Sequence, residues 1–266
     1  MPFSWRQSQA FVGRRPTATG RRTQSLQSLT QASIAADSPH FSCKVPLPIF
    51  LRMSLYAGYS QSRFTFDPGR TKVWLEIADY LARYFPEDGS ILDLGSGYCD
   101  FINAARAREK WAVDLHLDPE KHARKGVRCL RTDVADLSAV PDASLDLVFA
   151  SNLLEHLDDD KLGATLSQVN SKLRPGGRFI AIQPNYAHCY RQYFDDYTHV
   201  KVFSHVSLPD FLASQGLEVE RVTPRFLPFS MKSRWPKLSF FVWIYLRLPY
   251  RPLAKQMLVV ARKPNP

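Results

Sequence analysis

The sequence predicts an α/β fold in which helices cover both faces of a parallel sheet. Three observations predict it. Short apolar runs alternate with segments of helical periodicity from residue 70 onwards, a turn with two glycines follows the first run, and acidic residues stand where the runs end. Right-handed crossovers make such a sheet doubly wound, and its ligands bind beyond the carboxyl ends of the strands.

The elements follow from periodicity and from the residues that end each run. Apolar residues at helical spacing predict four helices, over residues 73–84, 101–108, 162–173 and 208–215. Short apolar runs predict seven strands, over residues 91–94, 110–115, 127–131, 145–150, 178–183, 217–223 and 256–262. The turn Pro175-Gly176-Gly177 is expected to end the third of these helices before the fifth strand begins.

The turn after the first strand has the composition of a nucleoside-binding loop. Gly95 and Gly97 allow a tight turn and let a ligand approach the backbone, while the next helix presents its unpaired N–H groups. A dinucleotide loop would carry glycine at the position of Asp100, whose negative charge disfavours a pyrophosphate. S-adenosylmethionine has no phosphate and carries two cationic groups, so a loop that contains Asp93 and Asp100 suits it better.

Two more acids stand at the ends of neighbouring strands. Asp114 follows the second strand and is placed to accept hydrogen bonds from both ribose hydroxyls of an adenosine. Asp133 follows the third strand and is placed to accept a bond from the adenine amino group. A solvated surface acid or a helix cap explains each residue alone, but three acids in register with the glycine turn favour adenosine.

These motifs together resemble class I S-adenosylmethionine-dependent methyltransferases. The stretches that carry the resemblance, between residue 70 and about 224, are Asp93-Leu94-Gly95-Ser96-Gly97, Val113-Asp114, Thr132-Asp133-Val134, residues 146–156 and Leu173-Arg174-Pro175-Gly176-Gly177. The resemblance implies a Rossmann-like, doubly wound seven-stranded sheet with an antiparallel last strand, and S-adenosylmethionine as the cofactor. The third glycine of the family's loop is Cys99 in this chain.

The resemblance also implies the cofactor-binding residues. Gly95 and Gly97 would approach the methionine part, and Asp114 would hold the ribose. The adenine would meet Asp133 and Val134, and two residues after the fourth strand would lie along the cofactor. The full predicted set is Asp93, Gly95, Gly97, Asp114, Leu115, Asp133, Val134, Ser151 and Asn152.

Other stretches are similar to bacterial methyltransferases associated with surface-polysaccharide or glycolipid assembly. They are residues 98–103, Gln183-Pro184-Asn185, residues 195–199 and residues 224–234. This similarity implies a small-molecule, glycan or lipid-linked acceptor, methylated on an oxygen. Methylation of a lipid or quinone-like ring, and a non-catalytic RNA-binding or scaffolding role, are the alternatives.

The catalytic candidates lie at the carboxyl ends of the fourth and fifth strands. Methyl transfer to a hydroxyl needs a base, because a neutral alcohol is a poor nucleophile. The aromatic and acidic segment 184–207 suits a hydroxyl-rich ligand and supplies the first candidate, His199, and the second, Asp196. His156 is the third, although the resemblance implies that such a Glu-His pair is often structural.

Segment 225–255 mixes cations with aromatic rings and is predicted as an insertion on the substrate side. This composition suits peripheral contact with an anionic membrane through residues 225–251, or an acidic or diphosphate-linked substrate. A basic lid that packs on the domain with snorkelling side chains is the third interpretation.

The net charge of +10 lies largely at the N-terminus. Residues 1–52 hold seven Lys/Arg and one acid, which leaves +4 on residues 53–266. We expect 1–52 to be a disordered basic extension and 53–266 to be the methyltransferase domain. We favour a non-functional extension, with Met53 as the first native residue. A mitochondrial presequence and a nucleic-acid-binding arm are the alternatives.

The four cysteines show no metal-ligand spacing and are expected to be free thiols, so no metal is predicted. We expect a cytoplasmic protein, peripheral on a membrane surface if segment 225–251 binds one. No nucleic-acid partner is expected, because the cations of residues 53–266 form no dense run.

Overall fold

The computed structural model describes residues 58–59, 65–229 and 239–266. The predicted extension 1–52 and parts of segments 53–69 and 225–255 lie outside these residues. The helices are α1 (Arg70–Leu81), α2 (Asp100–Ala104), α3 (Asp159–Lys172), α4 (Tyr186–Tyr193), α5 (Ser207–Ser214) and α6 (Ser239–Arg247). The strands are β1 (Ser90–Leu94), β2 (Glu109–Val113), β3 (Val127–Leu130), β4 (Leu145–Ser151), β5 (Leu173–Pro184), β6 (Glu218–Pro228) and β7 (Ala254–Arg262).

The strands form one seven-stranded sheet in the order β3-β2-β1-β4-β5-β7-β6. The pairs from β3 to β5 are parallel, and β7 runs antiparallel to both of its neighbours. The predicted doubly wound sheet with an antiparallel last strand is confirmed. The strand order reverses between β1 and β4, which is where ligands bind in such sheets.

Two apolar clusters cover the two faces of the sheet. Alternate side chains of β1 and β4 enter opposite clusters, because successive side chains of a strand point to opposite faces. Leu92 and Val148 pack with α3 and α5 on one face. Ile91 and Phe149 pack with α1, α2 and α6 on the other face. The near-continuous burial of β1 and β4 follows from this double cover.

Two predicted elements are longer than the observed ones. The predicted helix 101–108 ends at Ala104, because Ala105 has an extended backbone. The carbonyls of Ile102 and Ala105 accept from the Lys110 ammonium instead of from a further helical turn. Strand β2 ends at Val113 rather than at residue 115. Its last carbonyl instead accepts two N–H groups from the glycine turn.

Strand β5 is longer than predicted: it begins at Leu173, the last residue of the predicted helix 162–173, and includes the whole predicted turn. Leu173 pairs with Leu145 and Arg178 with Leu147, so the intervening residues bulge out of the ladder. Gly176 has a φ of +76°, and a Cβ on Gly177 would lie 2.8 Å from the carbonyl oxygen of Leu145. The glycines therefore shape a bulge within the strand in addition to ending α3.

Helices α4 and α6 were not predicted. The buried side chains of α4 are Cys189 and Tyr193, one turn apart, which is too short a stripe for periodicity to reveal. In α6 only Leu246 is buried, so its apolar residues do not mark one buried face. Within the described residues, no helix has the length and apolar character that crossing a membrane requires.

Candidate active site

A cavity of about 750 Å³ opens at the carboxyl ends of β1, β2 and β4. Its volume lies in the range of ligand sites, roughly 300–1,000 Å³. Every residue that the sequence analysis proposed for cofactor binding or catalysis lines this one cavity. The set comprises Asp93, Gly95, Gly97, Asp114, Leu115, Asp133, Val134, Ser151, Asn152, His156, Asp196 and His199.

The glycine turn is tight and depends on left-handed backbone. Gly95 has a φ of +69° and Gly97 of +52°, and the N–H groups of Gly95 and Ser96 both donate to the carbonyl of Val113 at 2.9 Å. A Cβ on Gly95 would lie 2.9 Å from Leu153 Cδ1. Cys99, in place of the family's third glycine, also has a left-handed φ of +57°, and its side chain is buried.

We expect Gly95→Ala to weaken S-adenosylmethionine binding roughly tenfold or more, because an L-residue in left-handed backbone costs about 1–2 kcal/mol and the new methyl group would contact Leu153. Isothermal titration calorimetry measures the affinity. Gly163→Ala is the matched control, since a methyl group there meets nothing within 4 Å. Equal affinities of the two variants would contradict the assigned role of the turn.

Asp114 connects the glycine turn to the segment after β2. Its Oδ2 accepts from the N–H of Gly97 at 2.9 Å, and its Oδ1 accepts from the N–H groups of His116 and Leu117 at 2.8 Å. A carboxylate offers about four acceptor positions. Three of them are taken, so the carboxylate holds the turn in place and keeps one acceptor position, on Oδ2, for a ribose hydroxyl.

Asp93 is a buried acid beneath the turn. Burial, aided by the nearby carboxylates of Asp114 and Asp100 and opposed by a hydrogen bond from the Ile102 N–H, raises its pKa to about 8. The acidic end of the cavity suits a cationic ligand.

Arg70, which the sequence analysis missed, pairs with Asp100 at 3.1 Å. No periodic or motif signal marks an arginine at the first turn of α1.

Asp133 at the end of β3 is already paired. Burial raises its pKa, but the Lys161 ammonium at 2.6 Å and the Ala135 N–H lower it below the ordinary value. Lys161 lines the cavity from the first turn of α3 and was also missed by the sequence analysis.

The acids and the left-handed turn fit S-adenosylmethionine. The acidic pocket suits its cationic groups, and Asp114 and Asp133 suit its adenosine.

The residues at the carboxyl end of β4 lie next to β7 in the lining of the cavity. Asn152 has a φ of +49°, and its Oδ1 accepts from the amide of Gln256 at 3.0 Å. Ser151 and Asn152 line the cavity beside Gln256. The left-handed residue turns the chain sharply, and the short helix Leu154–His156 follows at once.

The three catalytic candidates meet in one wall of the cavity. His156 and His199 have ring centroids 4.9 Å apart. Asp196 Oδ1 accepts from the hydroxyl of Thr198 at 2.6 Å, and its Oδ2 accepts from the hydroxyl of Tyr59 at 2.7 Å. The fold thus brings His156, which follows β4, against the segment that follows α4.

Glu155 lies at the centre of this wall, and the sequence analysis gave it no role. The Glu155 carbonyl accepts from the N–H groups of Val200 and Lys201, which holds the segment after α4 against it. Its side chain is buried, and burial raises the pKa of the carboxyl to about 8. Burial and then the neighbouring His199 lower the pKa of His156 to about 4, so His156 is neutral at neutral pH.

The seven-stranded sheet, the left-handed glycine turn and the acids at the strand ends define a class I S-adenosylmethionine-dependent methyltransferase. Residues 67–222 match the model of the methyltransferase domain family, and the chain belongs to this family. The protein is therefore an enzyme whose cofactor is S-adenosylmethionine. No curated protein sequence matches the chain.

Solved structures of similar fold include methyltransferases, and those whose acceptors are named act on different molecules. One is an S-adenosylmethionine-dependent methyltransferase from Archaeoglobus fulgidus (19% identity, TM-score 0.54, covering 79% of this chain and 99% of that one). Another is 1,6-didemethyltoxoflavin-N1-methyltransferase from Burkholderia thailandensis, bound to S-adenosylhomocysteine (18%, 0.52, 81% and 88%). A third is geranyl diphosphate C-methyltransferase from Streptomyces coelicolor A3(2) (15%, 0.52, 70% and 77%). This similarity concerns the fold, and fold does not determine the acceptor.

Proposed function

We propose that this methyltransferase transfers the methyl group of S-adenosylmethionine to an oxygen of a glycan, glycolipid or related small acceptor. The observation that supports this is the cluster of His156, His199, Glu155 and Asp196 in one wall of the cavity. When bound, the cofactor supplies an activated methyl group on its sulfonium. An alcohol must lose its proton during transfer, and this wall holds the groups that can assist that loss.

His199 is the favoured base among the three candidates. Burial raises the pKa of Asp196, but hydrogen bonds from Thr198 and Tyr59 lower it below the ordinary value, which makes its carboxylate a weak base. Nδ1 of His156 is engaged by Thr198. The imidazole of His199 lines the cavity beside both, so the proposal assigns to it the proton of the acceptor hydroxyl.

A mass-spectrometric screen tests the acceptor class. The enzyme is incubated with the cofactor and with glycans, glycolipids and ring-containing lipids, and the products are fragmented to locate the added methyl group. We expect an O-methyl ether on a sugar or lipid-linked hydroxyl. Methylation only of nitrogen or of a ring carbon would contradict the proposal.

We also propose that the acceptor is reached at a membrane surface, through helix α6. Its rings of Phe240, Phe241 and Trp243 are 65%, 60% and 43% exposed, and the Arg247 guanidinium lies over the Trp243 ring at 4.3 Å from its centroid. Exposed aromatic rings beside cations suit the interface of an anionic bilayer. None of these three rings lines the cavity, so they do not support the alternative in which they stack on a ring substrate.

Vesicle sedimentation tests this surface. We expect binding to anionic phospholipid vesicles at low salt and release at high salt, because salt screens the attraction of the cations to the lipid. The double variant Phe240→Ser/Phe241→Ser should bind less. Val206→Ser serves as the control, since Val206 is 59% exposed beside α5, on the opposite face of the sheet. No binding of the wild type at low salt would refute the membrane contact.

A further inference from the structure

Glu155, His156 and His199 place one donor atom each within 4.8 Å of one another in the wall of the cavity. We propose that these three side chains bind one divalent transition-metal ion, which takes the acceptor hydroxyl as a further ligand. The inference rests on the proposed function, because it names what draws the proton from the acceptor oxygen. It also changes the role of His199 from base to metal ligand.

One carboxylate oxygen of Glu155, at the centre of the cluster, is buried without a hydrogen-bond partner among the described residues. Glu155 Oε1 lies 3.9 Å from His156 Nε2 and 4.0 Å from His199 Nε2. This side chain is 1% exposed, and Oε1 makes no hydrogen bond to any described residue. The amide of Gln183, with its nitrogen turned toward Glu155, donates to the other oxygen, Oε2. A buried polar atom without a partner is costly, and a cation between the three donors would remove that cost.

Hydrogen bonds fix the tautomer of His156 that a metal requires. The Thr198 hydroxyl donates to Asp196 Oδ1 at 2.6 Å, so its oxygen is left to accept from His156 Nδ1 at 3.0 Å. Nδ1 therefore carries the ring proton, and Nε2 on the side of Glu155 keeps its lone pair. Metal-binding histidines are oriented by such a partner on the other ring nitrogen.

The charges around the cluster favour a cation. Asp196 lies in the same wall of the cavity, and its carboxylate accepts from the hydroxyls of Thr198 and Tyr59. Two imidazoles and one carboxylate, with positions left open, form the donor set of catalytic zinc and of non-haem Fe(II) sites. Ligand bonds of about 2.0–2.2 Å set tetrahedral donor atoms about 3.3–3.6 Å apart, so donor atoms that lie within 4.8 Å of one another must approach by about 1.5 Å at most.

Such an ion would lower the pKa of a bound hydroxyl. In the transfer step, the bond between the acceptor oxygen and the methyl carbon forms, and the carbon–sulfur bond breaks with its electron pair going to sulfur. The hydroxyl proton passes to solvent. The products are the methyl ether and S-adenosylhomocysteine.

Titration of the chelator-treated full chain with Co²⁺, followed by visible absorption, tests the site, and Zn²⁺ competition measures its affinity. We expect one equivalent to bind. Glu155→Gln and His199→Ala should weaken binding at least about 100-fold, and Thr198→Ala, which removes the partner of His156 Nδ1, about 10–100-fold. His188→Ala, a histidine outside the cavity lining, should bind like the wild type.

Each variant is first checked for S-adenosylmethionine binding, and Thr198→Ala carries the test if a ligand variant does not fold. Absence of Co²⁺ and Zn²⁺ binding, or equal binding by the wild type and the ligand variants, would overturn the metal site. An enzyme that methylates hydroxyls at full rate in chelator, without binding a cation, would overturn the metal site and leave the proposed function intact. One bound equivalent without hydroxyl methylation would overturn the proposed function alone.

Discussion

Replacing His199 by alanine is expected to lower the turnover of O-methylation by about 10²–10⁴-fold, the usual contribution of a proton-transfer group. The affinity for S-adenosylmethionine should be unchanged, because His199 lies in the wall with His156 and Glu155 rather than in the glycine turn. The same loss is expected whether the imidazole takes the proton itself or holds the ion that draws it off. Single-turnover kinetics at saturating cofactor measure the effect.

Two comparisons make the His199 result interpretable. His188→Ala removes a histidine that stacks on His205 outside the cavity lining, and it should leave turnover unchanged. The melting temperature of each variant separates a loss of chemistry from a loss of fold. If His199→Ala turns over like the wild type, His199 has no part in the reaction.

Replacing Asp114 by alanine is expected to weaken S-adenosylmethionine binding about 100-fold or more. A hydrogen bond to a charged group contributes about 1.5–3 kcal/mol, so the lost ribose bond alone accounts for about one to two tenfold steps. The variant also releases the Gly97 N–H, which holds the turn in its binding geometry. Calorimetric titration with the cofactor and with S-adenosylhomocysteine measures both affinities.

Asp160→Asn provides the matched comparison for Asp114, because Asp160 is an exposed acid on α3 outside the cavity lining. It should bind the cofactor as the wild type does. Asp114→Asn keeps the size of the side chain and the oxygen that faces the turn, so it should fall between the two. Wild-type affinity in Asp114→Ala would show that the ribose is held elsewhere.

The proposals place the cofactor and the acceptor at different parts of one cavity. The turn, Asp93 and Asp114 form the acidic end, and Glu155 and His156 form a wall together with the segment after α4. The described part of the chain links the two through β4, whose carboxyl end supplies Ser151, Asn152 and the helix that carries Glu155 and His156. On these proposals, the end of β4, where the strand order reverses, positions the methyl donor and the acceptor relative to each other.

The amino-acid sequence by itself determined the sheet and the cofactor loop. Strands buried on both faces produce continuous apolar runs, and a left-handed turn requires glycine at Gly95 and Gly97, so both features are local and visible in the chain. The acids Asp93, Asp114 and Asp133 are predictable for the same reason, since each stands at a strand end. The end of β2 was not predictable, because the carbonyl of its last residue, Val113, accepts from the glycine turn. The start of β5 was not predictable either, because a bulge opposite β4 separates Leu173 from the rest of the strand pairing.

Only the tertiary structure decided which residues meet in the cavity wall around Glu155. Glu155 and His156 follow β4, whereas Asp196, Thr198 and His199 come from the segment after α4, and backbone bonds to the Glu155 carbonyl join the two. Thr198 fixes the tautomer of His156 across this contact, because its hydroxyl donates to Asp196 and accepts from His156 Nδ1. Spacing along the chain carries no signal for side chains that meet through folding, so the sequence did not group Glu155 with His199.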